Sequence, residues 1–525
     1  MGEGKVATVP QPVRPGVVDA LLRATAQRLP GAAAIGPRDA AIDFATLDAR
    51  VTRLAERLGI AGRPGDRVAI LGRNSREQVE LLFACFRAGQ VALPINWRLS
   101  ASEIGYIVRH AGASRIFADR QFAAALQAAA PDLPVCFFDD PGADGFAAWR
   151  DTPATARAPE LPTRQPDDVV LQMYTSGTTG LPKGVMLTNA NVMASIAAFS
   201  EGVMALDASD VIYAPAPMFH ITGIGPVLRS AQSGARLVFD SGFDPDRAVR
   251  LMADERVSYT TLAPAMIQAC LAAPAMADAD LSALRLIVYG GSPIAPAVLI
   301  AAQTRMGCDF AQCYGLTEAT GPVTLLDPDD HRGDEALLLS CGRAAAGIEI
   351  RIVDPDGAPL GVGETGEIVI RSAVVMPGYA ADADATRTTI RDGWLYTGDA
   401  GYLDADGYLY IRDRVKDMIV TGGENVYPVE VENALHDHPE IRDVAVIGIP
   451  DPHWGEAVTA LVVPAPGSAS VDGAAIIAFC HQRIAGFKCP KSVRFVDAIP
   501  RNAAGKIMRR ELRAPFWEGQ ARGVG

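Results

Sequence analysis

The chain has 525 residues, of which 49% are hydrophobic and 21% charged, and its formal net charge is −13. This composition is typical of a globular protein, and the length suggests about three domain-sized units. The negative charge argues against nucleic acid or an anionic membrane as the main partner, whereas a site for an anionic small molecule can be built locally.

The sequence lacks the common motifs for secretion, membrane insertion and zinc binding. The N-terminal stretch MGEGKVATVPQPVRPG lacks the apolar core of a signal peptide, and no apolar run is long enough to span a bilayer. The eight cysteines form no CxxC pair, so they predict reduced structural thiols and no zinc centre. We therefore expect a soluble cytoplasmic protein without a transmembrane segment.

The first half alternates strand and helix patterns. DRVAILG predicts a buried strand, and Ser75 with Gln78 predicts the cap of an amphipathic helix, EQVELLFACFRAG. VALPIN predicts the next strand, Ser100 with Glu103 caps a second helix, and RIFAD follows as a strand. This repetition indicates parallel α/β layers.

The pattern changes after Ile348. IEIRIVD, GEIVIRS and YLYIRD predict antiparallel strands, and a compact set of strands and helices follows. We expect an α/β fold with a large N-terminal domain (1–413) of layered α/β subdomains and a β-rich subdomain. A small mobile α+β domain (414–525) would follow, and 159–168 would be a linker.

The strongest local motif is YTSGTTGLPKG, which follows the apolar strand VVLQMY and precedes a helix predicted to begin near Asn189. Glycines let backbone N–H groups approach phosphate oxygens, hydroxyls add donors, and a lysine adds charge. The spacing is not that of a Walker A loop. Composition alone leaves open an ordinary surface loop. The candidate phosphate contacts are Thr175, Ser176, Gly177, Thr178, Thr179, Gly180 and Lys183.

A second glycine pattern, GVGETG at 361–366, matches the dinucleotide fingerprint by letters. It runs into the strand EIVIRS instead of a helix, so it predicts a turn.

TSGTTGLPKG resembles the phosphate loop of the adenylate-forming superfamily, and further motifs agree in order. They are YGLTE (314–318), YTGD (396–399), DRVKDMIVTGGENVYPVEVE (413–432) and PRNAAGKIMRRELR (500–513). The resemblance covers about 17–513 and is closest in style to fatty-acyl-CoA and coumarate or feruloyl-CoA ligases. It implies an AMP-forming acyl-CoA synthetase that uses ATP, coenzyme A and Mg²⁺.

The implied reaction has two steps. Attack of a carboxylate on the α-phosphate of ATP gives acyl-AMP and pyrophosphate, and the thiol of coenzyme A then displaces AMP. Because the first step brings two anions together, electrostatic stabilisation should dominate it. By resemblance Lys506 bridges the carboxylate and the α-phosphate, Glu318 holds Mg²⁺ and Thr317 donates to the α-phosphate.

The resemblance also assigns the nucleotide and acyl contacts. Tyr314 and Gly315 would line the adenine, and Gly291 with Ser292 would edge the adenine and acyl pocket. Asp399, in an expected TGD turn, would accept the ribose hydroxyls, and Arg414 would hold ribose or phosphate. His220 would stand at the mouth of the acyl tunnel, although a core histidine is an equal alternative.

In the family, the small domain rotates between the two steps. Lys416 matches the hinge, and Gly423 matches the glycine loop that lines the thiol tunnel. Lys488 and Lys491 are candidates for the 3′-phosphate of coenzyme A. Two positions depart from the family pattern, Ala504 in the loop before Lys506 and Cys489 within KCPK.

The expected acyl-pocket segments, 220–228, 289–293 and 314–323, are apolar and glycine-rich and carry no lysine or arginine. Gly223, Gly225, Gly291 and Gly321 would leave room for a hydrophobic monocarboxylate, either a medium- or long-chain fatty acid or an aryl acid of the cinnamate kind. The alternatives are a stand-alone enzyme that loads a carrier protein, a luciferase-like oxygenase and a non-catalytic nucleotide sensor. A monomer and a homodimer both remain open.

Overall fold

A computed structural model describes residues 16–152, 163–175, 181–292, 294–333, 335–414, 417–421, 424–466, 472–501 and 507–518. The fold is mixed α/β. By packing, the chain forms two compact units, and unit 1 contains 1–338, 344–349 and 371–395. Unit 2 contains 339–343, 350–370 and 396–525.

The described helices are distributed over both units. They are α1 Asp19–Arg28, α2 Phe44–Ala61, α3 Arg76–Ala88, α4 Ala101–Ala111, α5 Ala123–Ala129, α6 Phe146–Asp151, α7 Asn189–Ala198, α8 Ile221–Ser233, α9 Pro245–Asp254, α10 Pro264–Leu271, α11 Pro296–Met306, α12 Pro328–His331, α13 Ala383–Thr389, α14 Pro428–His436, α15 Gly473–His481 and α16 Arg509–Arg513.

The described strands alternate with helices in the first part of the chain and follow one another closely later. They are β1 Ala33–Ile35, β2 Ile42–Asp43, β3 Arg67–Leu71, β4 Val91–Pro94, β5 Ala113–Ala118, β6 Val135–Phe137, β7 Val169–Thr175, β8 Lys183–Thr188, β9 Val211–Tyr213, β10 Arg236–Val238, β11 Tyr259–Leu262, β12 Leu286–Gly290, β13 Asp309–Cys313, β14 Gly315–Leu316, β15 Gly321–Pro322, β16 Thr324–Leu325, β17 Arg343–Ala344, β18 Glu349–Val353, β19 Gly366–Arg371, β20 Gly378–Tyr379, β21 Ile390–Arg391, β22 Trp394–Leu403, β23 Leu409–Arg414, β24 Ile419–Thr421, β25 Glu424–Val426, β26 Ile441–Asp451, β27 Gly455–Pro464 and β28 Ser492–Phe495.

Unit 1 contains two seven-stranded sheets. One has the order β20-β8-β7-β4-β3-β5-β6 and the other β13-β12-β11-β9-β10-β1-β2. Most neighbours are parallel, as the alternation of strands and helices predicts, but β7–β8, β8–β20 and β1–β2 are antiparallel. Parallel strands place their carboxyl ends at one edge, which is where α/β folds bind ligands.

The predicted helix caps are largely confirmed. Ser100 and Glu103 form a reciprocal capping box at α4, and the Ser75 side chain accepts the backbone N–H of Gln78 at α3. The helix after the motif begins at Asn189, where the Thr188 and Asn191 side chains complete another capping box. These caps satisfy backbone donors that helix starts leave open.

The prediction that α3 is amphipathic was wrong, because nearly the whole helix is buried. Its charged residues tolerate burial through ion pairs. Glu80 is fully buried and forms ion pairs with Arg50 at 2.9 Å and with Arg150 at 2.8 Å. Arg87 forms an ion pair with Asp19 at 2.8 Å. A buried charge is costly unless it is paired in this way, so an isolated charge at either position would not fit here.

Unit 2 holds the β-rich part. Strands β22 and β23 are antiparallel, as predicted. The later sheet has the order β25-β24-β27-β26, with β28 parallel to β27. Its core includes Ile419, Val446, Val458 and Cys480. Residues 361–366 form a turn that leads into β19, so the interpretation of GVGETG as a turn is confirmed.

Within the described ranges, no helix is both long and apolar enough to cross a membrane. None of the eight cysteines, all of which lie in the described ranges, is part of a disulfide, and five of them are buried.

Candidate functional site

The two ends of the YTSGTTGLPKG motif face each other across an antiparallel strand pair. Thr175 ends β7, Lys183 begins β8, and the two are register partners. The candidate residues between them, Ser176, Gly177, Thr178, Thr179 and Gly180, lie outside the described residues. The motif therefore joins two neighbouring strands at the ligand-binding edge of the sheet.

A half-buried polar network supports the C-terminal end of strand β7. The Tyr174 hydroxyl lies 2.7 Å from His110 Nδ1 and accepts a hydrogen bond from Gln172 Nε2 at 3.2 Å. Arg67 Nε in turn donates to Gln172 Oε1 at 3.1 Å. Burial raises the pKa of Tyr174 to about 12, so its hydroxyl stays protonated and can donate to the imidazole. The network fixes the strand that carries Thr175.

Glu318, the predicted metal ligand, lies beside Thr175. It is half-buried in a short 3₁₀ turn, and its Oε1 accepts hydrogen bonds from Thr175 Oγ1 at 3.4 Å and from the Tyr379 hydroxyl at 3.0 Å. The Glu318 carbonyl accepts the backbone N–H of Met376 at 2.9 Å. The structure thus brings together two predicted residues that are 143 positions apart. Thr317 precedes Glu318 in the same turn.

Tyr379 was not predicted, although it contacts two of the predicted residues. Its ring lies 5.0 Å from Lys183 Nζ, and its backbone pairs with Val185 in the β20–β8 ladder. The backbone N–H of Ala380 donates to the Gly184 carbonyl at 2.7 Å. No local pattern marks this tyrosine, because its partners are distant in sequence.

The Glu318 carboxylate is of a type that suits Mg²⁺. Both described hydrogen bonds to the carboxylate go to Oε1, and none among the described residues engages Oε2. Mg²⁺ at nucleotide sites commonly takes one or two carboxylates, with phosphate oxygens and water as the other ligands. Within the described residues no group of three or more His, Cys, Asp or Glu could hold a metal alone. The donors thus suit a metal that arrives with a nucleotide.

The adenine candidates follow β13. Tyr314 is buried, its backbone N–H donates to Thr324 Oγ1 at 3.2 Å, and its carbonyl accepts the Val323 N–H at 2.7 Å. Gly315 pairs with Pro322 in the small β14–β15 ladder. Both candidates are therefore held in a tight hairpin at the carboxyl end of the sheet.

The candidates after β12 lie at the same edge. Strands β12 and β13 are parallel neighbours, so Gly291 and Tyr314 each follow the carboxyl end of an adjacent strand. Gly291 has φ +81°, and a Cβ there would meet nothing within 4 Å. The left-handed backbone favours glycine, and the space beside it is open. Ser292 is half-buried next to it.

His220 caps the N-terminus of α8 by position, without a side-chain capping bond, and its ring packs 4.5 Å from Phe219. The loop before it is fixed by Asn74, which accepts the Met218 N–H at 3.0 Å and donates to the Ala216 carbonyl at 2.9 Å. This buried asparagine was not predicted.

A glycine is needed at position 223 for a reason other than the expected one. A Cβ at Gly223 would lie 2.2 Å from the Pro217 carbonyl oxygen, so this glycine allows α8 to pack against the preceding loop. The expectation that Gly223 leaves room for the acyl group was wrong. Gly225 and Gly291 do border open space.

In unit 2, Asp399 is buried and lies within the ten-residue strand β22, so the expected TGD turn was wrong. Its backbone N–H donates to Thr397 Oγ1 at 3.1 Å, and Thr397 Oγ1 donates to the Ile368 carbonyl at 2.7 Å. Arg414 is the register partner of Asp399 on β23. The two ribose candidates are therefore opposite each other on neighbouring strands.

Three candidates of the C-terminal part, Lys416, Gly423 and Lys506, lie outside the described residues, as does Ala504. Arg501 and Ile507, which flank the Lys506 segment, form an antiparallel bridge.

The two lysine candidates for coenzyme A differ. Lys488 Nζ is paired with Glu430 Oε1 at 2.6 Å, whereas Lys491 Nζ donates to the Gly486 carbonyl at 3.3 Å and lies 5.4 Å from the Trp454 ring. Of these two lysines, Lys491 is the one without a carboxylate partner among the described residues.

Parallel α/β sheets with a glycine- and hydroxyl-rich motif at the carboxyl edge define a nucleotide-binding class of enzyme. The family model described as "AMP-binding enzyme" matches residues 22–380, and the model of the "AMP-binding enzyme C-terminal domain" matches 430–506. The chain belongs to the AMP-binding enzyme family.

Relatives match nearly the whole chain. The fatty acid–[acyl-carrier-protein] ligase ScoC of Streptomyces coeruleorubidus is 38% identical over 95% of this chain and 96% of the relative. A feruloyl-CoA synthase of Amycolatopsis sp. is 41% identical over 94% and 97%. The crystal structure of ATP-bound MatB from Rhodopseudomonas palustris superposes with a TM-score of 0.86 at 30% identity, covering 95% of this chain and 99% of that one.

The predicted family and enzyme class are confirmed by these matches. The chain is an AMP-forming acid–thiol ligase of a family that uses ATP, Mg²⁺ and coenzyme A.

Proposed function

We propose that this ligase activates a hydrophobic monocarboxylate, either a medium- or long-chain fatty acid or an aryl acid of the cinnamate kind, and transfers the acyl group to coenzyme A. The observation that carries this proposal is the absence of lysine and arginine from the three acyl-pocket segments, 220–228, 289–293 and 314–323. A second carboxylate on the substrate would need a cation there.

Open space beside Gly291 and Gly225 supports a bulky acyl group. The names of two relatives, feruloyl-CoA synthase and fatty acid–[acyl-carrier-protein] ligase, support the same two acid classes. The second relative also supports one alternative, in which the acceptor is the phosphopantetheine of a carrier protein.

The first step needs cations and donors around the transferred phosphate. We propose that Thr175, Ser176, Gly177, Thr178, Thr179, Gly180 and Lys183 bind the phosphates of ATP, that Thr317 donates to the α-phosphate and that Lys506 bridges it to the carboxylate. Glu318 would hold Mg²⁺, which neutralises phosphate charge when bound. Such preorganised charges act where the two anions approach.

The remaining contacts orient the nucleotide and the acid. We propose that Tyr314, Gly315, Gly291 and Ser292 line the adenine, that Asp399 and Arg414 bind the ribose, and that His220 borders the acyl entrance. Tyr314 is supported by its fixed backbone, since both of its peptide groups are hydrogen bonded.

For the second step we propose a domain boundary between residues 413 and 414, a hinge near Lys416 and a thiol path along Gly423. Hinges need only a few residues that absorb a backbone change. Lys491 is the better of the two lysines for the coenzyme A phosphate because Lys488 is already paired with Glu430. Since ATP and coenzyme A are both intracellular substrates, we place the enzyme in the cytoplasm.

The test is a panel of carboxylic acids incubated with ATP, Mg²⁺ and coenzyme A, with pyrophosphate, AMP and acyl-CoA followed together by mass spectrometry. Acyl-CoA from fatty or cinnamic acids, with acetate and malonate far poorer in kcat/KM, is the expected result. Pyrophosphate without thioester would redirect the acceptor to a carrier protein. Malonate or acetate as the best substrate would contradict the pocket assignment.

A further inference from the structure

We propose that Tyr379 is a positioning residue that keeps Lys183 and Glu318 apart, so that the lysine remains available for phosphate and the carboxylate for Mg²⁺. This inference rests on the proposed function of the site and adds a residue to it. Tyr379 itself is not placed in contact with a reacting atom.

The side chain of Tyr379 contacts both the cation Lys183 and the anion Glu318. The hydroxyl donates to Glu318 Oε1 at 3.0 Å, and the ring centroid lies 5.0 Å from Lys183 Nζ. A lysine at this distance is attracted by the ring quadrupole. Lys183 forms no ion pair among the described residues, although it shares this neighbour with a carboxylate.

The hydroxyl also selects one carboxylate oxygen. Thr175 Oγ1 donates to the same Oε1 at 3.4 Å, so two neutral donors occupy that oxygen. The Tyr379 phenol is the donor in the second of these bonds, because a carboxylate oxygen can only accept. Oε2, which accepts no described hydrogen bond, is then the oxygen oriented toward a metal.

The backbone holds Tyr379 rigidly enough for this task. Its N–H donates to Thr386 Oγ1 at 2.9 Å, and it pairs with Val185, two residues after Lys183. A Cβ at the preceding Gly378 would lie 2.6 Å from Thr386 Cγ2. The strand that carries Lys183 is therefore bound directly to the strand that carries Tyr379.

Two variants divide the roles of the hydroxyl and the ring. Tyr379→Phe removes the donor to Glu318 and keeps the ring beside Lys183. Tyr379→Leu removes both, which lets Lys183 approach Glu318 and form an ion pair. Tyr410→Phe is the matched control, because it removes a phenol from the stacked Tyr402–Tyr410 pair of unit 2.

Equilibrium binding supplies the readout without turnover. Binding of ATP in EDTA is measured by calorimetry, and binding of Mn²⁺ to the enzyme with ATP is measured by electron paramagnetic resonance. For Tyr379→Phe we expect Mn²⁺ binding weakened about tenfold, the lower range for losing a hydrogen bond to a charged group, with ATP binding in EDTA unchanged. For Tyr379→Leu, ATP binding in EDTA should also weaken several-fold.

A double variant separates positioning from folding. In a Glu318→Gln background, Tyr379→Phe should cause no further loss of Mn²⁺ binding, because the tyrosine acts through that carboxylate. Equal losses in both backgrounds would overturn the proposal, as would a Tyr379→Phe protein that binds Mn²⁺ like Tyr410→Phe. Loss of ATP binding in EDTA together with a lowered Tm in Tyr379→Phe would overturn it in favour of a structural role.

These measurements do not depend on the acid. If no carboxylate supports pyrophosphate release, the proposed function fails, while the metal and ATP titrations still decide the role of Tyr379.

Discussion

The proposed phosphate site of unit 1 and the C-terminal sheet of unit 2 are held together by different interactions. In unit 1, Thr175, Glu318 and Tyr379 come from three distant segments and are joined by side-chain hydrogen bonds. In unit 2, a local apolar core is closed by ion pairs such as Arg509–Glu432 at 2.6 Å and Arg513–Asp417 at 2.9 Å.

This difference affects what a substitution changes. In the proposed phosphate site the functional side chains also form the hydrogen bonds that hold the site together, so a substitution there changes both the binding groups and their positions. In the C-terminal part, Lys416, Gly423 and Lys506 lie outside the described residues, and we propose that each serves one step of the reaction. We therefore expect substitutions in unit 1 to affect binding geometry, and substitutions at those C-terminal positions to remove single steps.

The largest effect within unit 1 should follow the loss of charge at Glu318. Glu318→Gln keeps the shape of the side chain but weakens the proposed metal ligand, so pyrophosphate release should fall about 100-fold or more, as for other removed transition-state contacts. Glu349→Gln, at an exposed ion pair with Arg371, is the control and should leave the rate nearly unchanged. A rate loss for Glu318→Gln no larger than the control would break the comparison.

The next effect concerns packing in α8. Gly223→Ala forces a methyl group against the Pro217 carbonyl and should destabilise unit 1 by about 1–3 kcal/mol, the range for overpacking. Gly225→Ala in the same helix meets open space and should be neutral or stabilising by about 0.5–1 kcal/mol. Urea denaturation of both variants measures the difference, and equal stabilities would show that Gly223 is not a packing position.

A smaller effect is expected at the coenzyme A candidates. Lys491→Ala should raise the KM for coenzyme A several-fold and leave pyrophosphate release unchanged, because one exposed phosphate contact is lost. Lys488→Ala should raise it less, since that lysine is paired with Glu430. Steady-state kinetics with coenzyme A varied would reveal the order, and the reverse order would assign the phosphate to Lys488.

The smallest effect is a pH dependence of stability. Burial lowers the pKa of His331, whose Nε2 lies 2.9 Å from the Tyr289 hydroxyl. The folded state thus holds the ring neutral, whereas the unfolded state gains a proton below about pH 6.5. Stability from this site is complete above that pH and is lost as the pH falls from it toward the folded-state value.

His331→Asn should flatten this dependence between pH 7.5 and 5.5 in urea titrations, while His436→Asn, at an exposed position, should not. If the free energy of unfolding of His331→Asn changed with pH as it does in the unmodified protein, His331 would not be a source of the pH dependence.

The sequence predicted the local features well. The caps at Ser75 and Ser100 depend on residues three positions apart, which a linear pattern records. The turn at 361–366 followed from the strand after it. The family motifs pointed to the proposed site because they occur in this chain in the same order as in the family.

Features that depend on distant partners were missed. The charges in α3 suggested an exposed face, but Glu80 and Arg87 are paired with residues from other helices and are buried. Tyr379 is 61 positions from Glu318, so no local pattern connects them. Gly223 was taken for ligand space because a glycine in sequence does not show whether backbone or ligand approaches it.

The most direct test of this division is Lys506→Ala assayed in separate half-reactions, with adenylate formation followed by pyrophosphate release and thioester formation started from supplied acyl-AMP and coenzyme A. The account predicts that adenylate formation falls by several orders of magnitude while thioester formation survives. Equal loss of both steps would contradict the separate roles of Lys506 and Gly423.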